Sequence, residues 1–160
     1  MTAIMETART SHIHRATCRV IYGDTDAAGV VYNANFLRYF EIGRTELMRE
    51  WVCTYREIEQ QGIFLPVTEC YTRFKAPAFY DDLLTIETSI AELKKLTCRF
   101  NYRICREIPG VERQQLLVKG YTVHAAVTSE GKLTRLPEDI IRKLELFLPT
   151  QPALSDDMAK

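Results

Sequence analysis

The sequence predicts an α+β architecture, an antiparallel sheet of about five strands with one long helix packed on it. Three observations predict it. Residues 34–51 space their apolar side chains helically, with Leu37, Phe40, Leu47, Met48 and Trp51 near one stripe. Four later segments, 63–75, 83–93, 97–106 and 116–128, are strand-like, most of them alternating apolar and polar residues. Short turns rich in Gly, Pro, Asp and Ser join them, so consecutive strands pair with their neighbours.

In chain order, residues 1–14 are polar and without periodicity, an expected mobile segment in which His12 and His14 have no third metal ligand nearby. Residues 15–22 alternate, with Cys18, Val20 and Tyr22 on one face, and read as a first strand. In the long helix Phe36 and Tyr39 widen the buried arc. Gly43 costs about 1 kcal/mol there relative to Ala, which predicts a close approach of helix to sheet. Residues 55–61 suggest a short second helix closed by Gly62. Pro66 marks a bulge or an edge in the strand region that follows. Residues 76–82 form a turn, and turn chemistry accounts for the Asp81-Asp82 pair. Residues 137–147 read as a helix with Pro137 in its first turn and Ile140, Ile141, Leu144 and Phe147 as its apolar face. Residues 149–160 are an expected loose tail behind a single domain of residues 15–148.

Composition removes several classes of function. The 160 residues balance 21 basic against 21 acidic side chains, so no electrostatic footprint for nucleic acid exists. No run reaches the ~20 apolar residues of a membrane span, and the N-terminal residues lack the layout of a secretory signal. The five cysteines are widely spaced with no C-x-x-C pair, which argues against zinc and redox motifs and for free thiols in a reducing compartment. Neither a metal nor a cofactor is expected, and the cytoplasm is the expected location.

Chemistry concentrates in residues 21–40, IYGDTDAAGVVYNANFLRYF. Asp24 and Asp26 close a strand-like run, the small residues Ala27-Ala28-Gly29 turn the chain, and Asn33-Ala34-Asn35 open the helix. Helix starts leave backbone N–H groups unpartnered and favour negative charge. An acid held just upstream can face a carbonyl pointing at those N–H groups, which is the geometry of acyl transfer. As a bare pattern, D-x-D equally suits an Asx turn, and Asn33 or Asn35 an N-cap.

The longer string YGDTDAAGVVYNANFLRYFE, continued by FKAPAFYDDLLTIETSIAELKK, resembles the hotdog-fold acyl-CoA thioesterases of the 4-hydroxybenzoyl-CoA type and their tol-pal-associated relatives. The resemblance spans residues 18–127. It implies a curved sheet wrapped around a central helix and hydrolysis of an acyl-CoA to free acid and coenzyme A. It also implies that Asp26 is the catalytic acid, as nucleophile or general base. Asn33, seven residues on, would begin the helix and offer its N–H to the thioester carbonyl. Tyr32 would line the acyl pocket, for which Phe36, Phe64, Leu65 and Pro66 are further candidates. Lys94 and Lys95 match a basic pair that contacts coenzyme A phosphates. Coenzyme A enters as part of the substrate. A homodimer, commonly paired into a homotetramer, is implied, and the acyl group could reach the site on coenzyme A or on an acyl carrier protein.

The chain departs from the family at one position. The tol-pal branch carries His where Asn33 stands and the aromatic-acyl branch a bulky residue, so a role for the backbone N–H survives and a role for imidazole does not. Hotdog dehydratases use a His near the helix, which is missing here. No G-x-S-x-G is present, and His124 lies in a strand. A non-hydrolytic binder of acyl-CoA or acyl carrier protein is the alternative from another class. Aromatic and aliphatic acyl groups remain equally compatible with the sequence.

Overall fold

The computed structural model describes residues 12–149. Five strands form one antiparallel sheet: β1 (His14–Arg19), β3 (Val67–Phe74), β4 (Leu83–Leu93), β5 (Thr97–Glu107) and β6 (Gln114–Ala125), in the order β1-β4-β5-β6-β3. A two-stranded ribbon pairs β2 (Ile63–Phe64) with β7 (Val127–Thr128). Helix α1 (Asn35–Trp51) lies against the sheet, with α2 (Tyr55–Gln60) after it and α3 (Glu138–Glu145) near the C-terminus. The α+β expectation holds.

The alternating residues of β4 and β5 explain the packing. Leu84, Ile86 and Ile90 point inward with Phe100, Tyr102 and Ile104, and all are fully buried. Against them α1 sets Phe36, Tyr39, Phe40, Leu47 and Met48. The Phe40 ring stacks on Tyr102 with centroids 4.3 Å apart. Leu37, expected on the buried stripe, is 41% exposed. It falls on the side of the helix turned from the sheet, and Phe36 and Tyr39 fill the buried face in its place.

Two glycines let helix and strands meet. A Cβ on Gly43 would stand 2.4 Å from Thr88 Oγ1 and 2.6 Å from Ile86 Cγ2, both on β4. At Gly120 on β6 a Cβ would stand 2.1 Å from the Tyr71 carbonyl oxygen and 2.9 Å from the Phe40 ring. The close approach expected from Gly43 is therefore present.

Several boundaries differ from the sequence reading, each for a local reason. β1 starts at His14, inside the segment expected to be mobile. The His14 ring is buried, meets the edge of Trp51 and lies 2.7 Å from Glu50 Oε2 through Nε2. Residues 1–11, and 150–160 of the expected tail, lie outside the described residues. β1 stops at Arg19 because Tyr22–Asp24 coils into a 3₁₀ turn, which leaves Tyr22 exposed rather than inward. Pro66 separates β2 from β3, since it has no N–H for the ladder. Pro137 stands just ahead of α3 instead of in its first turn. Asp81 and Asp82 behave as turn residues: the Asp82 carboxylate accepts from Phe79 N at 2.8 Å and from Arg106 Nη1 at 2.5 Å.

Gly43→Ala tests the packing. Alanine is the better helix former by about 1 kcal/mol, yet the overlap with β4 should dominate and lower stability by about 1–3 kcal/mol. Urea unfolding at matched m-values reads the difference, and a stabilised variant would contradict the contact.

Candidate active site

The site grows from a tight hairpin. Asp26 N–H donates to the Val30 carbonyl at 2.9 Å, and Gly29 N–H donates back to Asp26 O at 3.0 Å. Gly29 carries φ 81°, a left-handed conformation that glycine adopts without steric cost. Thr25 bridges Val31, and Tyr32 N–H donates to Asp24 O at 2.9 Å. The hairpin thus folds the spacing between Asp26 and Asn33 back on itself. A second ladder anchors it to residues 76–82, with Val31 N–H donating to Ala78 O at 2.9 Å and Val30 bridging Phe79.

Asp26 is exposed. Its Oδ1 accepts from Ala28 N–H at 2.9 Å in an Asx turn. Its other carboxylate oxygen has no partner among the described residues. The Asx-turn reading of the D-x-D pattern therefore holds at Asp26, and the turn uses only one of the two carboxylate oxygens.

Asn33 lies in the turn before α1, which starts two residues later than the resemblance implies. Neither Asn33 nor Asn35 caps the helix through its side chain, and Ala34 occupies the N-cap. The helix start spends its first N–H groups locally: Asn35 on Tyr32 O at 2.9 Å, Phe36 on Asn33 O at 3.3 Å and Leu37 on Ala34 O at 3.2 Å. Among the described residues no carbonyl accepts from the N–H of Asn33 or of Ala34. Asn33 also lines a cleft of about 320 Å³ with Val31, Phe36, Phe74 and Lys75.

The other predicted residues do not join this cleft. Tyr32 is 52% exposed and does not line that cleft. Lys94 and Lys95 occupy the β4–β5 turn, where Lys94 Nζ lies 3.3 Å from Glu92 Oε1. Arg19, just ahead of the hairpin, pairs with Leu83 at the opposite end of β4. The length of that strand therefore separates the lysines from Asp26, roughly 30 Å at ~3.3 Å per residue. Phe64, Leu65 and Pro66 line a different cavity of about 720 Å³, together with Glu41, Arg44 and Tyr55. The Tyr55 hydroxyl is enclosed there without a hydrogen-bond partner among the described residues.

Sequence reasoning missed Asp24. It is 1% exposed, and its carboxylate accepts from Tyr39 Oη at 2.9 Å, from Ile21 N–H at 3.1 Å and from Arg38. Burial first, and then the bond to Asp24, push the Tyr39 phenol well above its ordinary range, so it stays a neutral donor. The available signal was helical spacing: Asn35, Arg38 and Tyr39 are polar groups on one helix face beside an acid.

His124 is a structural residue. Its Nδ1 lies 2.9 Å from Leu65 O, which can only accept, so Nδ1 carries the proton. Nε2 then accepts from Thr122 Oγ1 at 2.8 Å, and Thr122 accepts from Tyr102 Oη at 2.7 Å. Burial pushes the ring down from 6.5 to about 4, helped by the nearby Arg44 charge. Between those values the unfolded chain binds a proton that the folded chain does not. Stability should hold above pH 6.5 and fall by up to about 3 kcal/mol as pH drops to 4. Unfolding titrations of His124→Gln beside the wild type check this, and an equal pH slope in both would refute it.

Residues 20–144 match the thioesterase-like superfamily. Acyl-CoA thioesterase YbgC of Haemophilus influenzae is 36% identical, over 72% of this chain and 80% of its own. The 4-hydroxybenzoyl-CoA thioesterase of a Pseudomonas species is 28% identical, over 77% of this chain and 91% of its own. Among solved structures, a 1,4-dihydroxy-2-naphthoyl-CoA thioesterase from Synechocystis superposes with a TM-score of 0.74 at 25% identity, covering 83% of this chain and 96% of that one. A mutant 4-hydroxybenzoyl-CoA thioesterase in complex with 4-hydroxybenzoyl-CoA gives 0.75 at 25% identity, covering 86% and 99%. Fold and relatives define a thioester hydrolase of the hotdog fold. The chain belongs to the thioesterase-like superfamily.

Proposed function

We propose that the chain hydrolyses an acyl-CoA thioester to a free acid and coenzyme A, with Asp26 as the reacting acid and the helix start as the oxyanion site. The observation that carries this is the pairing, across the hairpin and the turn that follows it, of a carboxylate with one open oxygen and an Asn33 N–H that has no partner among the described residues. The thioester carbonyl oxygen would accept from Asn33 N–H, with the positive end of the α1 dipole behind it. Losing one such donor costs about 3 kcal/mol of barrier in other acyl-transfer enzymes. Asp26 would then act in one of two ways. As a base it removes a proton from water, whose oxygen bonds to the carbonyl carbon while the C–S bond breaks and the thiolate takes the proton. As a nucleophile it bonds to the carbonyl carbon itself, expels the thiolate and leaves an anhydride that water hydrolyses.

The distance between Lys94-Lys95 and Asp26 supports a site shared by two copies. β3 is an edge strand whose outer side has no partner strand among the described residues. Its Val67 end lies beside the Phe64–Pro66 cavity and in the cross-strand row of His124, Cys98 and Leu93, the end of the sheet that carries the two lysines. Its Phe74 end lies beside the Asn33 cleft. An antiparallel twofold pairing of two β3 edges sets the Phe74 end of one copy against the Val67 end of the other. The Asn33 cleft of one copy would then meet the large cavity of the second, gathering Phe36, Phe64, Leu65 and Pro66 around one acyl group. The two lysines would lie on the coenzyme A side. A homodimer is the working unit in this reading, in the cytoplasm, with acyl carrier protein as a further carrier.

Free-thiol release from aromatic, short-chain and long-chain acyl-CoAs tests the chemistry. Wild type should release thiol, and Asp26→Asn should lose at least about 10²-fold in kcat. Equal rates would remove Asp26 from the reaction. Lys94→Ala/Lys95→Ala should raise KM severalfold with kcat nearly unchanged, as loss of two point-charge phosphate contacts requires. An unchanged KM would remove the lysines from the site.

A further inference from the structure

We infer that Asp24 is the positioning residue of this site, a buried carboxylate that sets the Asp26 hairpin against the Asn33 helix start. The inference rests on the thioester-hydrolase reading with Asp26 as the reacting acid.

Five hydrogen bonds end on this one residue. The side chain accepts from Ile21 N–H ahead of the hairpin, and from Arg38 and Tyr39 on α1. The backbone carbonyl accepts from Tyr32 N–H at 2.9 Å and from Asn35 Nδ2 at 2.8 Å. Asn35, Arg38 and Tyr39 stand at i, i+3 and i+4, so one helix face supplies all three helix donors. Apart from the short turn bonds at the helix start, every hydrogen bond joining hairpin to helix among the described residues ends on Asp24. Asp26 follows it by two residues, and Asn33 follows its partner Tyr32 by one.

Stability alone gives little reason for a carboxylate here. Burying a charge is costly, and an apolar group in such a position is often as stable. What an acid adds is geometry. It accepts from three donors at once without a proton of its own, and its partners fix it in a single orientation. Arg38, half exposed, covers it on the solvent side and balances its charge. An amide at position 24 would turn an NH₂ toward donors and spoil at least one bond.

Thiol release measured through a double-mutant cycle separates positioning from bulk stability. Asp24→Asn should lower kcat by about 10²-fold, the scale of a 1 Å misplacement, with KM within threefold and circular dichroism unchanged at the assay temperature. In an Asp26→Asn background the same change should cost less than tenfold, because the group it positions is already lost. A residue that merely keeps the chain folded would lower the active fraction equally in both backgrounds. Tyr39→Phe removes one donor, keeps the Arg38 pair and should show the same non-additivity at smaller scale, so it decides the question if Asp24→Asn does not fold. Equal losses in both backgrounds, or a kcat within threefold of wild type, would overturn the positioning role alone. A wild type that releases no thiol from any acyl-CoA would overturn the hydrolase reading and this inference with it.

Discussion

The distance between α1 and the sheet is the constraint on which the other arrangements depend. Gly43 on the helix and Gly120 on β6 remove side chains where helix and strands touch, and Phe40 fills the space beside Gly120 by stacking on Tyr102. A helix held this close dictates the rest of the core. Its aromatic face can enter the concave sheet only at one depth and rotation, and that rotation brings Asn35, Arg38 and Tyr39 round to the hairpin. Packing and site are therefore one problem, since close-packed interiors transmit small shifts.

The fold was readable because its signals are long and periodic. The inward residues of β4 and β5, and Phe36, Phe40, Leu47 and Met48 of α1, follow from spacing alone. What resisted reading was local. Nothing in the alternation of residues 15–22 shows that Tyr22 leaves the strand for a 3₁₀ turn. That turn exists because Asp24 folds back on Ile21 N–H and is then buried by side chains of a helix eleven or more residues away. His14 was missed for a related reason. Its partners, Glu50 and Trp51, lie at the far end of α1, a contact of tertiary origin with no sequence pattern.

The candidate site was legible in part. The D-x-D string and its spacing to Asn33 identify the hairpin, and the structure gives each a definite local environment, one oxygen of Asp26 tied in the turn and the Asn33 N–H without a partner among the described residues. The different settings of the two acids, Asp24 buried and Asp26 exposed, were not visible, because burial is set by the tertiary fold. The exposure of Tyr32 was hidden for the same reason, as an aromatic residue reads alike inside a pocket and outside it. Distances along the sheet were equally hidden. Lys94 and Lys95 follow Asp26 at an unremarkable sequence separation, yet an eleven-residue strand carries them away from it.

The buried chain from Tyr102 through Thr122 and His124 to the Leu65 carbonyl has a further consequence. Its donors all point one way, because a carbonyl can only accept and the ring has one proton to give. The ring therefore clamps the backbone one residue ahead of Pro66, where the ribbon strand β2 gives way to β3. An edge strand has a neighbour on one side only, so its register rests on that one pairing and on where the strand begins. By fixing where β3 begins, an imidazole deep in the core decides which backbone groups the free border of the sheet presents to its surroundings.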